Sequence, residues 1–231
     1  MTLTAAFAPL AAYAIFFQTA VYLSLPARLR HTWAPMFTGL VGAGVAAAAG
    51  ALFGFDTIGL TGANPTTALL WGSGAALTGA LVGAALLSRP STRNELADPR
   101  IGALDSGQFV TQVAVRIPVF TALIEEVFFR GVLHAALMAL YSPPIAIWLG
   151  AGLFGLWHIG PGLDQAEANH RSTSGRLFHT AVTVVATTLA GAFLVWLRIE
   201  TGSIWAPAAV HAAVNMTMAV VGRRAAVHAH K

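Results

Sequence analysis

Residues 118–140 read PVFTALIEEVFFRGVLHAALMAL, a run long enough to cross a bilayer that carries Glu125, Glu126 and Arg130 near its middle. A spanning helix needs about 20 mostly apolar residues. A carboxylate at its centre costs about 2.5 kcal/mol or more, so intramembrane charges face polar cavities and mark function. Three charges within six residues, Glu125 to Arg130, are hard to explain as packing. The chain has nine acidic residues, and the other seven are read as lying in polar connecting segments.

Composition agrees with the membrane reading. The 231 residues are 56% hydrophobic and 10% charged, with a mean hydropathy of +0.69. A soluble domain carries about 25% charged residues, so this chain lacks the polar surface for a water-exposed globule. Cysteine is absent, which removes disulfides and thiolate metal sites. No basic stripe for nucleic acid is present. The first apolar run has no positive leader segment and is read as a retained spanning helix.

The expected fold is all-α, a polytopic transmembrane helix bundle with about seven spans. The candidates are residues 5–25, 35–55, 66–87, 118–140, 144–160, 177–197 and 203–221. They group into a three-helix N-terminal segment (1–87), a cytoplasmic linker (88–107), a C-terminal helix bundle (108–221) and a solvated tail (222–231). The region from Gln108 to Leu140 is too long for one perpendicular span. Pro118 cannot donate an intrahelical hydrogen bond, so an interfacial helix is expected before it and the spanning helix after it. Gly160-Pro161-Gly162 is read as a helix stop.

Arginine placement sets the orientation. Arg28, Arg30, Arg89, Arg93, Arg100, Arg171, Arg176, Arg223 and Arg224 fall on one side with Lys231, whereas Arg198 falls on the other. The positive-inside tendency then puts the N-terminus outside and the C-terminus in the cytoplasm. The expected setting is a bacterial cell membrane. Trp148, Trp157, Trp196 and Trp205 sit near predicted helix ends and fit an interfacial aromatic belt.

Three more polar groups interrupt the C-terminal helices. His158 closes Phe154-Gly155-Leu156-Trp157-His158, and His211 and Asn215 lie four residues apart on one helical face. At about 1.5 Å per residue, these groups and Glu125 can meet at one depth near the cytoplasmic surface. A carboxylate tuned by its surroundings can activate water, and an imidazole with an amide can stabilise an oxyanion. Glu125, His158 and His211 also make a second candidate set, a carboxylate and two imidazoles suited to a divalent metal such as zinc. The spacing is not that of two zinc ligands on one helix. Two cofactor readings therefore stand: water activated without metal, or with it.

With Glu125, Glu126 and Arg130, then Phe154 and His158, then His211 and Asn215, the chain resembles the CAAX-protease and bacteriocin-processing family of intramembrane endopeptidases, which includes the type II CAAX prenyl endopeptidases. The resemblance implies peptide-bond hydrolysis near the cytoplasmic membrane surface. Glu125 would activate water with help from His158, and His211 with Asn215 would hold the oxyanion or contribute to a metal pocket. Glu126 and Arg130 would orient the site as a charge pair, with Phe154 in support. The implied partner is a membrane-associated peptide or protein substrate, lipidated in some relatives, for which CAAX-type C-terminal processing is one form. The alternative is a non-catalytic membrane scaffold or bacteriocin-immunity protein that keeps the fold.

Overall fold

The computed structural model describes residues 34–229, and all regular structure among them is helical. The expected span at 5–25 lies outside the described residues. The order is α1 (Ala34–Phe53), α2 (Pro65–Leu87), α3 (Pro90–Leu96), α4 (Pro99–Gly102), α5 (106–140), α6 (Pro143–Trp157), α7 (Ile159–Ala168), α8 (Thr173–Thr201) and α9 (Trp205–Ala229). Local sequence sets several starts. Asn64 caps α2 by accepting from Thr67 N–H ahead of Pro65, and Asp105 with Gln108 closes a reciprocal capping box at the start of α5. Gly202, at φ +65°, ends α8 in the left-handed conformation.

Among the described residues, three helical stretches are long and apolar enough to cross a membrane: Pro65–Leu87, Pro143–Ala168 and Thr173–Thr201. The seven expected spans are thus not all of one kind. The expected span at 35–55 corresponds to α1, with a shorter apolar stretch, Leu40–Phe53. Those at 118–140 and 203–221 belong to α5 and α9, where Glu125, Glu126 and Arg130, or His211 and Asn215, interrupt the apolar run.

Two expectations about breaks fail. No interfacial helix separates at Pro118, because α5 runs unbroken from residue 106 to 140 with Pro118 inside it. The turns around Pro118, Gln112–Leu123, are wound as π-helix, and such wide turns accommodate a missing N–H that would otherwise force a kink. Gly160-Pro161-Gly162 does not stop the chain either. It forms the first turn of α7, where backbone N–H groups have no intrahelical acceptor and a proline costs little. The only interruption between α6 and α7 is His158 itself, at φ −88° and ψ 4°.

α2 and α9 pack side by side and run in the same direction. Gly72 lies against Ala209, Gly79 against Thr217 and Gly83 against Val221. Small residues let the backbones approach, which is how helices gain contact where lipid removes the hydrophobic drive. The opposite face of α2 exposes Leu70, Leu77 and Leu81, the side chains expected against lipid.

The linker of the sequence reading is built rather than loose. Asp98 caps α4, grips Arg100 at 3.0 and 2.8 Å, and donates its backbone N–H to the Gly222 carbonyl of α9. Arg100 Nη1 also reaches Asp164 on α7 at 2.5 Å. Ala225 and Ala226 of the expected solvated tail are buried against Ala97. Burial pushes the Asp98 carboxyl up, but Arg100 and the backbone donors outweigh it and hold it below its usual 3.8. Burial likewise works against the Arg100 guanidinium, and its two carboxylate partners more than offset it.

Two outcomes follow. Gly83→Ile, whose Cβ would come 2.5 Å from Val221 Cγ2, should destabilise by about 1–3 kcal/mol and lower the melting temperature in detergent. Because the Asp98 pKa is depressed in the fold, its contribution is complete above the unfolded value and is lost as pH falls through the folded one. Melting temperatures of the parent should therefore fall below about pH 4 more steeply than those of Asp98→Asn.

Candidate active site

α5 carries the acidic centre. Glu126 is 0% exposed and Arg130, one turn on, 1%. Arg130 Nη1 donates to Glu126 Oε1 at 2.9 Å, and Nη2 donates to the Gly191 carbonyl of α8 at 3.3 Å. The guanidinium carbon also sits 4.0 Å from the centre of the Phe154 ring on α6. A desolvated cation over an aromatic face is worth about 2 kcal/mol. The expected charge pair is therefore present, and it is wrapped on every side by protein.

Glu126 has a second partner. His211 Nδ1 lies 2.8 Å from the same Oε1. With the carboxylate oxygen as acceptor, the neutral imidazole that fits is the one that donates from Nδ1 and leaves the lone pair on Nε2. That nitrogen lies 3.9 Å from Glu125 Oε2. Glu125 is buried, and its Oε1 accepts from Trp157 Nε1 at 3.2 Å. Its Oε2 has no hydrogen-bond partner. A buried acceptor with no donor is costly, and a water bonded to both Glu125 Oε2 and His211 Nε2 fits the gap between them.

His158, at the break between α6 and α7, binds the Phe154 carbonyl through Nδ1 at 2.8 Å. Its ring meets Phe154 edge-on at 4.7 Å between centres, and His211 meets the same ring at 5.8 Å. Phe154 thus stands between both imidazoles while its face takes Arg130. His158, His211 and Asn215 line one cavity of about 860 Å³ together with Phe154. Glu125 lies behind that wall, against Trp157 and His211, and is not among the lining residues. The nearest imidazole to Glu125 by a measured contact is His211, whereas His158 spends its Nδ1 on Phe154.

The metal reading can be tested on these donors. Among the described residues, no three His, Asp or Glu side chains converge to hold an ion. Glu125 Oε1 is engaged by Trp157, His211 Nδ1 by Glu126 and His158 Nδ1 by Phe154. The atoms left to face an ion are Glu125 Oε2 and the Nε2 atoms of His158 and His211; a divalent metal held there would polarise the water, and the steps proposed for these residues do not run through it.

Two parts of the site were not anticipated. Trp157, assigned above to an aromatic belt, is 2% exposed and holds Glu125. Its position beside His158 on an otherwise apolar helix was the available signal. The other is α2, treated as packing, which supplies the cavity wall facing the imidazoles through Leu70, Trp71, Gly74, Ala75, Thr78 and Val82.

Residues 107–217, just under half of the chain, match a family model described as Type II CAAX prenyl endopeptidase Rce1-like. Over that span the chain is similar to the Rce1-like family. No curated protein and no solved structure is significantly similar to it. The Rce1-like span contains every motif residue, from Glu125 to Asn215, and the helices α5 to α8 with the first half of α9. It leaves α2 outside, although α2 walls the same cavity.

The buried pair gives a direct test. Removing one partner of a buried pair typically costs about 3–5 kcal/mol, because the other charge is left alone. Arg130→Met should therefore lower the melting temperature sharply, and Glu126→Gln in the same chain should recover part of the loss.

Proposed function

We propose that this chain is an intramembrane endopeptidase that hydrolyses a peptide bond near the cytoplasmic membrane surface, with water as the nucleophile. The observation that carries the reading is the unpartnered Glu125 Oε2 facing His211 Nε2 across 3.9 Å, beside a cavity lined by His158, His211 and Asn215. The Rce1-like match at family level supports the same reaction class.

The residues divide the work as follows. A water bonded to Glu125 Oε2 and His211 Nε2 gives a proton to Glu125 as its oxygen attacks the peptide carbonyl. The Trp157 N–H fixes the carboxylate so that its second oxygen stays directed at the water. Glu126 holds His211 through Nδ1, and Arg130 holds Glu126 in place. The Asn215 carboxamide donates to the developing oxyanion. The proton then passes from Glu125 to the leaving amine. His158, held by the Phe154 carbonyl, presents Nε2 to a peptide N–H of the substrate. The substrate is a membrane-associated peptide or protein, and the cleavage is at the cytoplasmic side if the arginine-rich face is inside. CAAX-type removal of a C-terminal segment is one form such a reaction takes.

Purified protein in proteoliposomes, given a peptide library, should produce defined cleavage. Glu125→Gln and His158→Ala should lose it while keeping their melting temperatures, and Asn215→Ala should slow the chemical step by about 100- to 1,000-fold. Cleavage by both Glu125→Gln and His158→Ala at the parent rate would overturn the assignment. A folded parent that cleaves nothing but retains a peptide would favour the scaffold alternative.

A further inference from the structure

The wall facing the imidazoles lies outside the family-matched residues, and its shape is set by small side chains. Gly74, Ala75 and Thr78 of α2 line the cavity opposite His158, His211 and Asn215. The α2–α9 seam fixes the register. Gly72 meets Ala209 and Gly79 meets Thr217, so Gly74, two residues beyond Gly72 on a parallel helix, stands level with His211. A Cβ added at Gly72 or Gly79 would press on α9 at 3.1 Å, whereas one added at Gly74 meets no atom within 4 Å. Gly72 and Gly79 are therefore small for packing. Gly74 is exposed at the open edge of the cavity, and contact with α9 gives no reason for its size.

The surroundings define what that space accepts. Leu70, Trp71, Val82, Phe193 and Val214 line the cavity, and among its described lining residues none is Asp, Glu, Lys or Arg. Leu70 to Val82 spans about 18 Å of helix axis, enough for an extended apolar group running past the imidazoles. A charged group there would be desolvated without a partner.

We infer that Gly74 is a specificity-determining residue: the missing side chain on α2 sets the size of the apolar substrate side chain that lies against His211 beside the scissile bond. The inference rests on the protease reading above and assigns its selectivity to a helix outside the family match. A hydrophobic pocket discriminates by what it has room for, at roughly 10- to 200-fold per methylene-scale change. Filling the space at Gly74 should therefore reject large groups far more than small ones.

The experiment uses two fluorogenic apolar peptides of one sequence that differ only in Ala or Phe at a single central position. In proteoliposomes Gly74→Leu should lower kcat/KM for the Phe peptide, relative to the Ala peptide, by roughly tenfold or more against the parent ratio. Gly152→Leu, on α6 with open space around it but outside the cavity lining, should leave that ratio unchanged. An unchanged ratio in a folded, cleaving Gly74→Leu overturns the inference. If the parent cleaves neither peptide, the protease reading has failed separately. Anisotropy with the labelled Phe peptide then reads the site: roughly tenfold weaker binding to Gly74→Leu upholds the size limit, and equal binding refutes it.

Discussion

One carboxylate oxygen, Oε1 of Glu126, accepts from two buried donors on opposite sides, Arg130 and His211. With Glu126 fully buried, neither donor can be replaced by water. That oxygen joins α5 to α9, and through Arg130 the link extends to the Gly191 carbonyl on α8 and the Phe154 ring on α6. In a bundle where lipid offers little hydrophobic drive between helices, such polar ties and close packing set the geometry. The same oxygen decides which nitrogen of His211 is free. The fold and the chemistry share an atom, so the ion pair is not ornamental to the site.

The arrangement separates reactivity from selectivity. Glu125 lies behind the cavity wall, gripped by Trp157, while His158, His211 and Asn215 line the open side. Facing them is a wall of glycine, alanine and threonine from α2. The reactive wall sits within the family-matched residues and the facing wall does not. Arg100 ties the ends together, linking Asp98 at the foot of α9 with Asp164 on α7, the helix that begins just past His158.

Much of this was legible in the chain because charge in an apolar helix has few explanations. Glu125, Glu126 and Arg130 announced a polar centre, and the four-residue spacing of His211 and Asn215 put both on the cavity face. The roles of neighbours were less legible. Trp157 read as a belt residue because hydropathy reports an indole near a helix end but not the direction of its N–H. His211 comes within 3.9 Å of Glu125, an approach that no spacing revealed, and the turn after Trp157 lets His158 bond back to Phe154. Pro118 and Gly160-Pro161-Gly162 misled as breakers, because π-wound turns and a helix's first turn both tolerate the missing N–H. The part played by α2 had no motif to reveal it: a glycine facing empty space and a glycine facing a helix look the same in sequence.

The central claim is that Glu125 delivers a water molecule to the substrate carbonyl without a covalent intermediate. A single turnover in heavy-oxygen water, followed by mass spectrometry of both product and enzyme, tests it most directly. The account predicts one labelled oxygen in the new product carboxyl, no label in Glu125, and no product from Glu125→Gln. Label transferred into the enzyme carboxylate, or product formed by Glu125→Gln at the parent rate, would contradict it.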